Sequence, residues 1–244
     1  MTDGATPKVE KRHPTLPGIF ARVCCVLLAL YVGVGVLLYV FQRDFIYPSR
    51  ALLAPVGTPA EEIVAGLEDL RFPTVDWLQL HAWYAPARDP AKPVILFFHS
   101  NGSNIKGFYP KAKVYQDKGF GVFLCEYRGY GGNPGAPTEQ GLYNDATACL
   151  FELKARGHEA WNIVYYGHSL GTGVAVDLAV RYQPRALVLE SPYSSAVDIA
   201  KIRYGLYPVD WMMRDKYNSI GKIDKVKSRI FIVHGENDEL IPFN

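Results

Sequence analysis

The segment Gly167-His168-Ser169-Leu170-Gly171 constrains this chain more than any other. An apolar run, Ile163-Val164-Tyr165-Tyr166, precedes it, and a stretch of small and apolar residues from Leu170 to Tyr182 follows. A strand, a sharp turn and a helix are expected in that order. Such a turn lifts the Ser169 hydroxyl off the strand end, where a base can reach it. Glycine on either side fits, because a strained turn and a close strand–helix contact leave little room for a Cβ. A Gly-x-Ser-x-Gly match also arises as an ordinary glycine-rich turn, so the rest of the sequence has to decide between the two readings.

At 244 residues the sequence has room for one globular domain and an extra segment. The net charge is +2, and no Lys/Arg-rich block occurs in the globular part, so no nucleic-acid partner is expected. Cys24 and Cys25 fall in an apolar N-terminal stretch. Cys125 ends an expected buried strand, and Cys149 lies on the apolar face of an expected helix. All four are expected to be buried as small hydrophobes, and no Cys-x-x-Cys spacing points to a metal.

Val23 to Phe41 is an uncharged run of 19 residues. As a helix it would span about 28 Å, against a bilayer core of roughly 30 Å. Tyr31, Tyr39, Phe41 and Tyr47 add aromatic character, the last two near the outgoing interface. A cleaved signal peptide is the alternative. The run exceeds a usual signal core, however, and Gln42-Arg43-Asp44 follows instead of a small-x-small cleavage site. The expectation is an uncleaved single-pass anchor with the bilayer as partner. Lys8, Lys11, Arg12 and Arg22 precede the span, and only Arg43 and Arg50 follow closely. That asymmetry places the N-terminus in the cytoplasm and the globular part across the membrane. The division expected is a polar tail at 1–22, the span at 23–41, a linker at 42–67 and a catalytic-type domain at 68–244.

Glu68 to Pro86 reads as two strands with partial alternation. Val94-Ile95-Leu96-Phe97-Phe98 is continuously apolar, as a strand covered on both faces must be. A helix is expected over 106–118, a buried strand at Val122–Cys125 and a loop at Pro134–Pro137. Leu142, Ala146, Cys149, Leu150 and Leu153 then share one helical face. Ala186–Leu189 and Ile230–Val233 complete the strands. Alternation of this kind implies right-handed crossovers and a mostly parallel α/β sheet with flanking helices.

Ligands of such sheets bind beyond the carboxyl ends of the strands. After Phe98 comes His99-Ser100-Asn101-Gly102-Ser103-Asn104, which reads either as a plain turn or as one source of oxyanion-binding N–H. Asn101 is the first choice of donor, Ser100 the second, and Leu170 supplies the other N–H as the residue after the candidate nucleophile. Asp238, in the loop after the Ile230–Val233 strand, is the candidate acid that would orient a histidine; the alternative is a surface carboxylate. Glu190 is the runner-up acid. The segment between Leu189 and Ile230 is rich in aromatics and methionine, including Tyr193, Tyr204, Tyr207, Trp211, Met212, Met213 and Tyr217. It either packs as a helix on the sheet, lines an acyl pocket or touches the bilayer.

The His99 loop, Tyr127-Arg128-Gly129-Tyr130-Gly131, the Gly167–Gly171 turn and the His234-Gly235-x-x-Asp238-x-x-x-Pro242 pattern occur in order. Together they resemble the alpha/beta-hydrolase superfamily. More narrowly, the chain resembles the single-pass membrane-anchored abhydrolase-domain proteins, which include lysophospholipid and monoacylglycerol lipases and depalmitoylating thioesterases. Gln42-Arg43-Asp44-Phe45-Ile46-Tyr47-Pro48 is similar to theirs. One departure is Ser100, where the family usually carries glycine.

The resemblance implies a serine hydrolase that cleaves an ester or thioester, with a lipid-like substrate and without metal or organic cofactor. It also implies a base histidine a few tens of residues after Asp238. The sequence stops at Asn244. The final strand, its helix and the base are therefore expected to be missing, as in a C-terminally incomplete hydrolase. None of the six histidines fits the role. His13 precedes the anchor, His81 and His158 lie elsewhere, and His168 holds the variable position of the turn. His99 and His234 match structural positions of the pattern. The rival readings are a membrane-tethered, non-catalytic protein on the same fold, or an inactive fragment.

Overall fold

The computed structural model describes residues 16–48 and 66–243; most of the expected tail and linker lies outside them. The chain divides into two compact units, with the boundary between Phe41 and Gln42. Helix α1, Leu16–Ile46, has 31 residues. Its length is about 46 Å at 1.5 Å per residue, more than enough to cross a bilayer core. Its leucines and valines are exposed along its length, as in Leu27 and Leu28. Only 6% of its most apolar window is buried, which separates it from the core helix of a soluble fold.

The second unit is built on a seven-stranded sheet: β1 Glu68–Pro73, β2 Gln79–Ala85, β3 Val94–Phe98, β4 Gly121–Cys125, β5 Ile163–His168, β6 Ala186–Glu190 and β7 Arg229–Val233. The order across the sheet is β1-β2-β4-β3-β5-β6-β7. β2 runs antiparallel to β1 and β4, and the other four pairings are parallel. The mostly parallel α/β architecture is the one expected. Every residue of β3 and β4 is buried, which explains their unbroken apolar composition. β7 is the outer strand beside β6, and its Phe231, Ile232 and Val233 are largely exposed.

The connecting helices are α2 Ile105–Asp117, α3 Glu139–Ala155 and α4 Leu170–Arg181. Two short helices, α5 Ala196–Tyr204 and α6 Val209–Met212, occupy the insert before β7. Asn104 and Thr138 cap α2 and α3 by accepting the Gly107 and Gly141 N–H groups, each at 2.9 Å. One core layer holds Ile105, Phe108 and Ala112 of α2 against Phe97 and Tyr166. The larger layer, on the other face, packs α3 and α4 against Leu96, Phe98 and Tyr165.

Residues 42–47, expected as linker, are helical through Ile46 and belong to the second unit. The Gln42 side chain donates to the Met212 carbonyl at 3.1 Å and accepts the Arg214 N–H at 2.7 Å. Arg43 pairs with Asp215 at 2.8 Å. Tyr47 is 1% exposed and shares a 2.9 Å hydroxyl–hydroxyl bond with Tyr217. The cysteine expectation needs correction too. Cys24 and Cys25 are exposed on α1, and Cys125 and Cys149 form a disulfide joining β4 to α3. Both of the latter are fully buried, so burial and bonding were not alternatives.

Arg128 ties the loop after β4 to two neighbours. It donates to Asp145 through Nε at 2.9 Å and to Asp76, in the β1–β2 hairpin, through Nη2 at 3.0 Å. The Arg128 hydrogen bond holds the Asp76 carboxyl down at about 2. A depressed acid contributes stability above its unfolded value of 3.8, and that contribution is lost as pH falls through the folded value. Asp76→Asn is therefore expected to flatten the acid limb of the stability curve between those two values. Urea midpoints against pH check this; an unchanged slope would count against the ion pair.

Candidate active site

The order β4-β3-β5 is where the sheet changes winding direction. The chain leaves β3 into α2 on one face and leaves β5 into α4 on the other, which opens a crevice at their carboxyl ends. Ser169 stands there with φ 50° and ψ −116°. A non-glycine residue in that region costs of order 1–3 kcal/mol and persists only where its surroundings fix it. Its N–H donates to the Glu190 carbonyl at 2.9 Å, and its own carbonyl accepts the Thr172 N–H and hydroxyl at 2.8 and 2.7 Å.

The glycines are required by contact. A Cβ on Gly167 would lie 2.6 Å from the Thr172 Cα, and one on Gly171 would lie 2.7 Å from the Phe98 carbonyl carbon and 2.9 Å from the His99 oxygen. One on Gly173 would meet the Tyr217 ring at 2.9 Å. The β3 loop therefore presses directly on the first turn of α4. Leu170 begins α4, so its N–H has no carbonyl one turn earlier to bond.

Ser169, Leu170 and Asn101 line one pocket of about 290 Å³. The pocket wall is largely apolar, with Tyr193, Ile199, Met213, Leu240 and Ile241. Phe45 and Ile46, from the end of α1, complete it. The Asn101 side chain is held by its bond to the Ile46 carbonyl at 2.9 Å, which leaves the backbone N–H as the candidate oxyanion donor. Ser100 is not among the pocket residues; its carbonyl bonds His99 Nδ1 at 2.8 Å.

Asp238 follows β7, two strands from β5 and at the same end of the sheet, roughly 10 Å away at 4.8 Å per strand. It borders a separate surface recess and does not line the Ser169 pocket. Its carboxylate accepts the Ile241 N–H at 2.9 Å and the Leu240 N–H at 3.0 Å, so it supports two residues of the pocket wall. The Ile241 N–H, then the Leu240 N–H and the Ser191 hydroxyl, hold its carboxyl below the usual range. The structure thus joins Ser169, Leu170 and Asn101 directly and places Asp238 one layer behind. Glu190 is bound by Lys111 and by the Tyr166 hydroxyl at 2.7 Å. Burial works to raise its carboxyl, but those two partners hold it below the ordinary value.

Five histidines are described, and none hydrogen-bonds the Ser169 hydroxyl. His81 pairs with Asp69, and His158 meets the Tyr84 hydroxyl at 3.0 Å. His99 lies between Glu126 at 2.9 Å and the Ser100 carbonyl. His234 donates to the Ile241 carbonyl at 2.8 Å. The His168 ring stacks on Phe108 of α2, with centroids 5.8 Å apart, and its Nδ1 is buried without a partner. Burial pushes that imidazole toward its neutral form. Among the described residues, no three His, Cys, Asp or Glu side chains cluster as a metal would require.

Tyr193, Tyr204 and Met213 come from the insert that the sequence offers as an acyl-pocket lining, whereas Phe45, Ile46, Leu240 and Ile241 are pocket residues that it does not single out. The Gln42–Pro48 stretch, which resembles the family but falls in the expected linker, is the sequence signal for Phe45 and Ile46.

Residues 89–220 match the family described as serine aminopeptidase, S33. An uncharacterized protein of Mycobacterium tuberculosis is 34% identical over 221 residues, covering 89% of this chain and 78% of that one. The lysophosphatidylserine lipase of Bos taurus is 32% identical over 210 residues, and the match covers 76% of this chain but 52% of the lipase. Among solved structures, an alpha-beta hydrolase from Vibrio vulnificus superposes with a TM-score of 0.65 at 20% identity, over 79% of this chain and 74% of that one. An esterase from Pyrococcus furiosus gives 0.64 at 17% identity, over 78% of each chain. With the strained serine between its two glycines, these matches show that the chain belongs to the alpha/beta-hydrolase family of serine hydrolases.

Proposed function

We infer that this protein cleaves a carboxylic ester or thioester carrying a long acyl chain, by attack of Ser169 on the carbonyl carbon. The observation that carries this reading is the position of the strained Ser169 at the floor of an apolar pocket. At about 290 Å³ the pocket is at the small end of ligand sites, which run from roughly 300 to 1,000 Å³. It holds an acyl chain, not a whole lipid. The Leu170 and Asn101 backbone N–H groups receive the oxyanion, and Asp238 is the acid that orients the base. The bovine and rat relatives are named lysophosphatidylserine lipases, which supports a lipid-like ester. No metal or organic cofactor enters the scheme.

None of the five described histidines hydrogen-bonds the Ser169 hydroxyl; His234 lies 3.6 Å from the Asp238 carboxylate but donates to the Ile241 carbonyl. That observation favours a second reading, a membrane-tethered protein that uses the fold without turnover. α1 is read as the anchor, with the hydrolase unit on the non-cytoplasmic side. The basic residues before the span and the Cys125–Cys149 disulfide support this, since disulfides persist in oxidising compartments.

Labelling by alkyl fluorophosphonates tests the substrate assignment without requiring turnover. A dodecyl probe is expected to label Ser169 about tenfold or more faster than an ethyl probe, because each buried methylene contributes about 0.8 kcal/mol. Met213→Trp, which fills the pocket, should remove that preference while sparing the ethyl rate. Equal rates for both probes would rule out the acyl pocket.

A further inference from the structure

The insert between β6 and β7 carries more apolar surface into solvent than its role as a pocket wall needs. Trp211 is 90% exposed and Leu206 is 86% exposed. Single exposed apolar residues are ordinary on a soluble protein. These two differ because of where the chain pins them. Gln42, the first polar residue after the Val23–Phe41 run, is clamped on both sides by the insert backbone, at the Met212 carbonyl and the Arg214 N–H. Arg43 adds its bond to Asp215. If α1 spans a bilayer, Gln42 marks the exit from the hydrocarbon.

Trp211 directly precedes Met212, and consecutive Cα atoms are about 3.8 Å apart. The interfacial layer on each side of a bilayer is roughly 6 Å deep, from a total of about 40–45 Å and a core near 30 Å. Trp211 is therefore tied through Met212 to the residue at which the apolar run ends, and an amphipathic indole is most favourable in the interfacial layer. Phe45, 57% exposed on the last turn of α1, lines the Ser169 pocket together with Met213 of the insert.

We propose that Trp211, Leu206 and Phe45 form a bilayer-docking face that seats the α5–α6 insert in the lipid interface and opens the Ser169 pocket toward the acyl chains. This rests on the reading of α1 as an anchor. The partner is the phospholipid bilayer itself. A substrate then reaches Ser169 past Phe45 and Met213 without its chain crossing water. The geometry also explains why an exposed tryptophan sits next to the residue that grips Gln42.

The test uses the full chain reconstituted in phosphatidylcholine vesicles with or without brominated acyl chains. The four tryptophans are Trp77, Trp83, Trp161 and Trp211, and α1 has none. Bromolipid quenching is expected in the wild type, and Trp211→Phe should lose the larger part of it. Trp161→Phe should leave the quenching unchanged, because that residue is also exposed but precedes β5, at the opposite end of the sheet from the pocket. Equal quenching in the wild type and Trp211→Phe, in a chain that resists carbonate extraction, would overturn the docking face and leave the anchor standing. A chain that carbonate releases from the vesicles would overturn the anchor, and the docking face with it.

Discussion

Replacement of Ser169 by alanine is expected to abolish covalent labelling by a fluorophosphonate, while replacement by cysteine should speed acylation by an activated ester at least about tenfold. The two results have one cause. A serine hydroxyl is a poor nucleophile without a base to take its proton, whereas a thiol is a few per cent ionised at pH 7 without help. At position 169 the side chain also faces the first turn of α4, where unbonded N–H groups favour a thiolate and lower its pKa below about 8.5. In a hydrolase whose base already contacts its serine, the larger sulfur disturbs a tuned arrangement. Here no described histidine hydrogen-bonds the Ser169 hydroxyl, so the gain from ionisation is unopposed. Burst amplitudes with a p-nitrophenyl ester separate the cases. A slower Ser169→Cys variant would show that a base does reach this position, and labelling that survives Ser169→Ala would remove Ser169 from the chemistry.

The fold was legible because its signals are local. Val94–Phe98 and Gly121–Cys125 are apolar without a break because both faces of the central sheet are covered. The Gly167–Gly171 turn announces itself because strand, bend and helix are consecutive in sequence. What escaped was long-range. Gln42 and Met212 are 170 residues apart, as are Tyr47 and Tyr217, and no period or spacing links them. The apolar run ends at Phe41, so the chain beyond it read as linker; the helix continues because Gln42 and Arg43 find partners in the insert. The Cys125–Cys149 bond has the same character, since each thiol taken singly reads as a small buried hydrophobe. The acid was the intermediate case. Its place after β7 could be read, but its hydrogen bonds to Leu240 and Ile241, which set the pocket wall, could not.

The second large effect falls on Gly171. A Cβ there would meet the Phe98 carbonyl oxygen as well as the carbon at 2.7 Å and the His99 oxygen at 2.9 Å. All three are backbone atoms of the β3 end, and neither side can yield by turning a side chain. α4 must move away from the sheet, and Leu170, Val174 and Leu178 on that helix lose buried contact as it does. Overpacking against side chains costs about 1–3 kcal/mol. Against backbone on both sides, Gly171→Ala is expected at about 3 kcal/mol or more, a large share of a typical stability of roughly 5–15 kcal/mol. The corresponding fall in Tm is roughly 6–12 °C for a unit of this size. Gly171→Val should fail to accumulate in folded form. Where Gly171→Ala folds, Ser169 is displaced relative to the Asn101 N–H, and a shift near 1 Å is enough to slow labelling about 100-fold. Gly102→Ala, in the same β3 loop but with nothing within 4 Å of its Cβ position, is the matched control and should melt and label like the wild type. A Gly171→Ala protein as stable and as reactive as Gly102→Ala would mean that α4 and the β3 end do not touch as closely as this geometry requires.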